Sequence, residues 1–209
     1  MTDSMRVYTK VQQTLKDLMP TATQGHVVTL AMMVTGIVLG KKAQLSVMSE
    51  EVPADAKDKS IEKRMQRWVR NPRIDETIYF MPFAQMILSG LSSAPLVLAM
   101  DGSQVGRGCM VLMVGVIYHK RSLPLAWIVY KGKKGHTTAA RHIAVLEQLQ
   151  PLLPVDAEII LLGDGEYDNV AMLQWIEQKT HWDFVVRTSC NSRIRIGTLE
   201  QSMADLSVT

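Results

Sequence analysis

The chain lacks the features that mark disulfide-rich, zinc-ribbon or membrane proteins. Its 209 residues include two cysteines, Cys109 and Cys190, which have no Cys-x-x-Cys or Cys/His spacing. We therefore predict two buried, small hydrophobic side chains rather than a disulfide or a zinc site. The longest uncharged run, residues 27–40, is shorter than the ~20 residues that span a bilayer, and it predicts a buried helix closed by Gly40. The N-terminus is polar and charged, unlike a signal peptide, so we expect a cytoplasmic protein.

A strong charge bias is also missing. The net charge is only +3, and 47% hydrophobic and 21% charged residues are ordinary for a soluble globular protein. The overall balance therefore predicts no partner, although the basic residues are unevenly distributed. The length fits one medium domain, or a small domain followed by a medium one.

The first region, residues 1–92, has the apolar spacing and turn signals of helices. We predict a helix that contains Val11 and Leu15 and is ended by Pro20, and one that begins at an N-cap on Ser60. The full set of predicted helices is a segment before Pro20, then 27–39, 44–51, 60–70 and 74–91.

The second region, residues 93–209, contains the short apolar runs that are typical of the strands of a sheet. Apolar strands are predicted at 95–100, 108–118, 123–130, 158–163 and 184–187. Helices are predicted at 137–150 and 169–178, the second capped by Asp168. The order β-β-β-α-β-α-β predicts an α/β fold with a mixed, largely buried sheet flanked by helices.

Two of these strands end in the same pattern, an apolar run followed by Asp-Gly, at Asp101-Gly102 and Asp164-Gly165. A carboxylate at the end of a buried strand is costly to desolvate without a partner. Two carboxylates at one edge of neighbouring parallel strands would also repel each other, and a divalent cation such as Mg²⁺ relieves both costs. The alternative is that each Asp-Gly marks an ordinary turn.

The residues around these aspartates carry a resemblance to a known family. Ala99-Met100-Asp101-Gly102-Ser103 and Leu162-Gly163-Asp164-Gly165-Glu166-Tyr167-Asp168, followed by a helix and Phe184-Val185-Val186-Arg187, resemble the first two acidic blocks of bacterial insertion-sequence transposases. These are DDE enzymes of the hairpin-forming group. The resemblance implies an RNase H-like catalytic core preceded by a helical DNA-binding domain.

The chemistry implied by the resemblance is DNA strand cleavage and transfer by two Mg²⁺ ions, or Mn²⁺, held by two Asp and one Glu. Asp101 would bridge both ions, and Asp164 would hold one. The family's Glu lies in a Tyr-Arg-Glu-Lys signature beyond a β-rich insertion, and no such signature follows Arg187. Glu200 lacks those neighbours. We therefore expect an N-terminal fragment that is inactive alone because the third carboxylate is absent from the chain.

Basic residues are concentrated in two segments that we predict to contact the phosphates of double-stranded DNA at transposon ends. On the 60–70 helix, Lys63, Arg67 and Arg70 fall on one face opposite an apolar face, and the short helix before it suggests a helix-turn-helix. The loop 131–136 contributes a second patch. The residues expected to bind DNA are Lys63, Arg64, Arg67, Arg70, Lys133 and Lys134. An ordinary solvated surface is the alternative for both segments.

The resemblance also allows a homodimer in a synaptic complex and places the protein with the nucleoid when bound to DNA. No membrane or small-molecule substrate is expected. Two other functions stay open. One is a non-catalytic DNA-end-binding fragment that represses a full-length relative. The other is an Mg²⁺-dependent nuclease or phosphotransferase that uses Asp101, Asp164 and a local carboxylate such as Glu166.

Overall fold

A computed structural model describes residues 2–91, 95–135 and 137–206. Residues 92–94, at the predicted boundary between the two regions, and His136 of the predicted basic loop lie outside these residues. The chain forms two compact units, Met1–Phe83 and Ala84–Thr209. The division falls inside a helix, whereas the sequence changes from helical spacing to strand-like apolar runs after residue 92. The boundary of the functional domains at 92/93 stays a prediction.

The first unit is helical, as predicted. Its helices, together with α6 at the boundary, are α1 (Asp3–Leu18), α2 (Gln24–Gly40), α3 (Leu45–Glu51), α4 (Asp58–Val69), α5 (Glu76–Tyr79) and α6 (Met81–Ser89). Among the described residues, no single helix is long and apolar enough to cross a membrane. Helices α2 and α3 reach that length and apolar character only when they are counted together, and the chain bends by 90° between them.

Helix α2 is apolar on all sides because it packs against two separate clusters. Val27 and Ala31 join a core with Leu15 of α1, whereas Met32 joins a second core with Met65 of α4. The last helical residue is the predicted Gly40, but the left-handed turn that closes the helix is formed by the next residue, Lys41, which has φ 53°.

Two helix boundaries differ from the predictions. The N-cap of α4 is Lys57 and not Ser60, because the Lys57 carbonyl already accepts the Ser60 N–H at 2.7 Å and Asp58 places a favourable negative charge in the first turn. The predicted helix 74–91 is broken between α5 and α6. Pro82 has no N–H and its ring would collide with the carbonyl of the preceding turn, so one continuous helix cannot form.

The second unit contains the predicted β-β-β-α-β-α-β order. Its elements are β1 (Leu96–Gly106), β2 (Cys109–Tyr118), β3 (Arg121–Lys131), α7 (Ala139–Leu149), β4 (Ile159–Gly163), α8 (Val170–Lys179), β5 (Asp183–Val186), β6 (Arg193–Ile196), β7 (Leu199–Ser202) and α9 (Met203–Leu206). A 3₁₀ turn, Gly165–Tyr167, lies between β4 and α8. The β6–β7 hairpin and α9 were not predicted.

Five strands form one mixed sheet in the order β3-β2-β1-β4-β5. Strands β1, β2 and β3 pair antiparallel, and β4 pairs parallel with both β1 and β5. Helix α7 connects β3 to β4 and lies against β2 and β3. This topology confirms the predicted RNase H-like mixed sheet.

The sheet buries one face across its central strands β2, β1 and β4. Leu98, Met100, Leu112, Val114 and Leu161 on that face are each at most 4% exposed. Side chains alternate between faces along a strand, so Asp101, which follows Met100, is on the other face. That face is more open, because Val97 and Ala99 of β1 are only half-buried.

The cysteines differ from their prediction. Both are free thiols, but Cys190 is exposed and Cys109 only half-buried. Cys109 begins β2 directly after the tight turn that Arg107 and Gly108 form, with φ 51° and 70°, and Cys190 follows the last strand of the sheet. Both therefore lie at chain reversals on the surface rather than in the core.

Candidate active site

The parallel pairing of β1 with β4 brings the two predicted aspartates together. The first four β1 residues each pair with the residue 63 positions later, from Leu96 with Ile159 to Ala99 with Leu162. Asp101 and Asp164 each follow the last of these pairs by two residues. Neighbouring strands lie ~4.8 Å apart and residues in register share a face. Asp101 and Asp164 therefore lie at the same end of two neighbouring strands, just beyond the point where their parallel pairing stops.

Asp101 does not lie at a turn. Strand β1 continues through it to Gly106, and Asp101 pairs with Met113 of the antiparallel strand β2. The turn interpretation is therefore wrong for Asp101-Gly102. For Asp164 it is right in part, because the carboxylate Oδ1 accepts the Glu166 N–H at 2.9 Å and caps the 3₁₀ turn.

Both carboxylates are exposed to solvent. The expected cost of desolvation therefore does not arise, because the parallel pairing of β1 and β4 ends before these residues and water reaches them. Each has one oxygen held by a neighbour. Asp101 Oδ2 accepts from the Ser103 hydroxyl at 3.4 Å, and Asp164 Oδ1 accepts from the Glu166 N–H. Within the described residues the other oxygen of each carboxylate has no assigned donor, which suits monodentate binding of a hard cation.

A third carboxylate does not join them. Glu166 Oε1 accepts from the Gly135 N–H at 3.2 Å and the Thr137 hydroxyl at 3.3 Å, which ties it to the loop before α7. Glu200 lies on β7 and pairs with Arg193 and Arg195 at 3.2 and 3.6 Å. In the described parts of the chain, no three Asp, Glu, His or Cys side chains are grouped so that they could hold a metal ion.

Asp168 does not cap α8 as predicted. The cap is Asn169, whose side-chain oxygen accepts from the Ala171 N–H at 3.0 Å. Asp168 Oδ2 instead accepts from the hydroxyls of Thr188 and Ser192. It therefore fastens the segment after β5 to the turn that carries Asp164.

The sequence comparison decides the family. The model of the family described as "Transposase DDE domain" matches residues 94–205, more than half of the 209-residue chain. The chain belongs to the transposase DDE domain family. Both aspartates and all seven strands lie within the matched part of this DDE domain.

One solved structure to which the chain shows some similarity is the crystal structure of the Mos1 strand transfer complex. It aligns with 77% of this chain at 14% sequence identity and a TM-score of 0.29. The DDE chain spans 58% of the length of that protein. No curated protein matches the sequence.

The predicted basic loop, residues 131–136, is attached to the turn that follows β4 in the DDE domain. Lys133 and Lys134 are exposed, and the Gly135 N–H that follows them donates to Glu166, two residues after Asp164. This hydrogen bond fixes the loop beside the turn that carries the second aspartate. The backbone of the loop that carries these two lysines is therefore held next to the turn that follows β4.

The basic face of α4 also forms as predicted, within the helical unit. Ile61 and Met65 are at most 3% exposed, while the opposite face is exposed. A surface depression of about 460 Å³ is lined there by Ser60, Lys63, Gln66, Arg67 and Arg70. No acidic residue is among these lining residues, so the depression is electropositive.

Arg64 differs from the other predicted DNA ligands. It is half-buried, and its Nε donates to the Thr29 hydroxyl of α2 at 2.9 Å. The connection between α3 and α4, residues 52–57, is longer than the 3–4-residue turn of a helix-turn-helix. The helix-turn-helix assignment and the DNA contacts stay predictions.

Sequence reasoning missed two buried residues behind the aspartates. Tyr167 and His142 are each 1% exposed, and their rings meet edge to face at 5.1 Å. Burial is the main cause that raises the pKa of Tyr167 far above its ordinary value, and the negative charges of Glu166, Asp101 and Asp164 raise it further. Its hydroxyl therefore stays protonated. Burial lowers the pKa of His142, and Glu166 partly opposes that shift. The run Asp164-Gly165-Glu166-Tyr167 was the available signal for Tyr167.

Proposed function

We propose that the chain carries the catalytic core of a metal-dependent DDE transposase, which cleaves DNA strands and joins them to a target. The observation that supports this best is the position of Asp101 and Asp164, each two residues beyond the last pair of the neighbouring parallel strands β1 and β4, within a transposase DDE domain. Its element would be a bacterial insertion sequence of the hairpin-forming group. The protein would be cytoplasmic and associate with the nucleoid when bound to DNA.

The aspartate pair fits Mg²⁺ or Mn²⁺ binding. Mg²⁺ usually takes one or two carboxylates and completes its shell with water and phosphate oxygens. In such a centre the carboxylates of Asp101 and Asp164 would hold the metal. Metal ions bound there would activate a water or a 3′-hydroxyl and stabilise the leaving oxygen of an in-line displacement.

The residues of the chain supply orientation and charge for this reaction. The Ser103 hydroxyl and the Glu166 N–H each hold one carboxylate oxygen, so the aspartates are oriented before a cation arrives. Lys133 and Lys134 would neutralise phosphates of the DNA strand that enters the site. Such contacts position a duplex without reading its sequence.

The two aspartates alone do not complete a DDE centre. Because Glu166 is bonded to the α7 loop and Glu200 to two arginines, neither takes the third position. We therefore propose that a polypeptide of these 209 residues binds metal weakly and does not cleave DNA by itself. A homodimer assembled on two transposon ends is the form in which it would meet its substrate.

A second candidate function is supported by the α4 depression. Its lining of Lys63, Arg67 and Arg70 belongs to the helical unit and is independent of the aspartates. A protein that binds DNA ends through this surface without cleaving them would repress a full-length relative by occupying its sites. Both functions predict DNA binding, and they differ in whether metal is required for any activity.

A metal titration tests the proposed function. Mn²⁺ binding, followed by the loss of the free-ion electron paramagnetic resonance signal, should weaken at least tenfold in Asp101→Asn and in Asp164→Asn. Asp156→Asn, an exposed loop residue, is the matched control and should bind like the wild type. Equal binding in all four proteins would exclude a metal-dependent centre and leave the repressor.

Incubation with labelled duplex DNA and Mg²⁺ or Mn²⁺ separates the remaining alternatives. The 209-residue chain should leave both strands intact. Cleavage that is lost in Glu166→Gln would contradict the assignment of Glu166 to the α7 loop and would favour a nuclease that uses a local carboxylate.

A further inference from the structure

Tyr167 contacts the residue next to each of the two aspartates. Gly102 directly follows Asp101, and Gly163 directly precedes Asp164. A Cβ atom at Gly102 would lie 3.3 Å from the Tyr167 hydroxyl oxygen, and one at Gly163 would lie 3.0 Å from the Tyr167 Cβ. The side chain therefore reaches from β4 to β1 and occupies the space that side chains at both glycines would need.

The tyrosine is itself held in place. It is 1% exposed, its N–H donates to the Asp164 carbonyl at 3.0 Å, and its carbonyl accepts the Asn169 N–H at 2.8 Å. The His142 ring covers one side of it at 5.1 Å. In a close-packed interior a ring fixed on this many sides transmits a displacement rather than absorbing it.

The length of the side chain matters as well as its bulk. The hydroxyl oxygen is buried and has no hydrogen-bond partner among the described residues, an arrangement that is unfavourable for a polar atom. Phenylalanine would avoid that cost, but it would leave a gap of one oxygen beneath Gly102. The hydroxyl thus completes the contact between the turn after β4 and the backbone of β1.

We infer that Tyr167 is a positioning residue, which sets the spacing and orientation of Asp101 and Asp164 by filling the space behind both of their neighbouring glycines. The inference rests on the proposed function, in which these two carboxylates bind metal. It also explains both glycines, since any larger residue there would meet the tyrosine.

The test measures Mn²⁺ affinity by electron paramagnetic resonance in single variants. Residues that orient metal ligands change affinity by roughly 10–100-fold when they are replaced. Tyr167→Leu removes the ring and should weaken binding about tenfold or more. Tyr167→Phe keeps the ring and should lose only about threefold, less than the lower end of that range. Wild-type affinity in a folded Tyr167→Leu protein would overturn the inference.

A rescue experiment distinguishes positioning from a general effect on folding. Gly102→Ala should weaken Mn²⁺ binding, because its methyl group meets the tyrosine hydroxyl. Adding Tyr167→Phe removes that oxygen and should restore the affinity of the Tyr167→Phe single variant. An unchanged defect in the double variant would show that the hydroxyl does not set the position of β1.

Two controls keep the outcomes separable. Leu149→Ala truncates a fully buried residue of α7 in the same unit and should leave Mn²⁺ affinity unchanged. An equal loss in Leu149→Ala and Tyr167→Leu would overturn the inference in favour of general destabilisation.

If Asp101→Asn binds Mn²⁺ like the wild type, the proposed function fails and this inference fails with it. If Asp101→Asn loses binding while Tyr167→Leu does not, only the inference fails.

Discussion

Replacing Arg67 and Arg70 together by alanine should flatten the salt dependence of DNA binding. Both residues line the exposed depression on α4, and the buried side of the helix is anchored by Ile61 and Met65. Alanine favours helix, so the double variant should keep the fold of the unit and lose only the two cations. The change in affinity then reports on phosphate contacts.

The size of the effect follows from the release of counterions. Each phosphate contact contributes about −0.9 to the slope of log K against log salt concentration. Losing two contacts should therefore make the slope shallower by about 1.8. Raising the salt from 50 to 200 mM weakens DNA binding of both proteins. The fold-loss of affinity in the variant should be about twelve times smaller than the fold-loss in the wild type.

Fluorescence anisotropy with a labelled duplex at several salt concentrations measures this slope. Lys16→Ala with Lys42→Ala is the matched control, since both lysines are exposed in the same unit and the net charge changes equally. A slope unchanged in the arginine variant, or equally reduced in the control, would refute the assignment of α4 to the DNA interface.

Four further predictions concern stability. Gly36→Ala should lower the free energy of unfolding in urea by about 1–3 kcal/mol through overpacking, since its Cβ would lie 2.6 Å from the Met48 carbonyl oxygen. Gly25→Ala, with open space around it, should stabilise α2 by about 0.5–1 kcal/mol. Because burial holds the pKa of His142 below 6.5, the unfolded chain takes up a proton that the folded one does not. Stability should therefore fall as the pH drops below 6.5 in thermal melts at several pH values, and His142→Phe should flatten that dependence. Asn169→Ala should cost about 1 kcal/mol in chemical denaturation by removing the cap of α8, and an unaffected midpoint would contradict the cap assignment.

The arrangement of the sheet could be predicted because local signals and the rules of connection agree. Apolar runs such as 158–163 indicate strands in the interior of a sheet, and a helix between β3 and β4 allows parallel pairing of β4 with β1. Boundaries were less predictable. The β6–β7 hairpin has short strands of mixed polarity, Arg193–Ile196 and Leu199–Ser202, so it carries no apolar periodicity to read.

The aspartate pair was predictable for a similar reason, since each carboxylate follows an apolar run at the same end of a parallel strand. Its surroundings were not. Sequence alone cannot show that Tyr167 fills the space behind Gly102 and Gly163, because that contact depends on the register between β1 and β4. Nor could it show that Glu166 bonds to the loop before α7, which removes the nearest additional carboxylate from the site.

The central claim is that Asp101 and Asp164 form one cation site. Fe²⁺ bound in place of Mg²⁺, with ascorbate and peroxide, generates hydroxyl radicals that cut the backbone beside the ion. We predict cuts next to residues 101 and 164, suppressed by excess Mg²⁺ and lost in Asp101→Asn and Asp164→Asn. Cuts at other positions, or cuts that persist in both variants, would contradict the account.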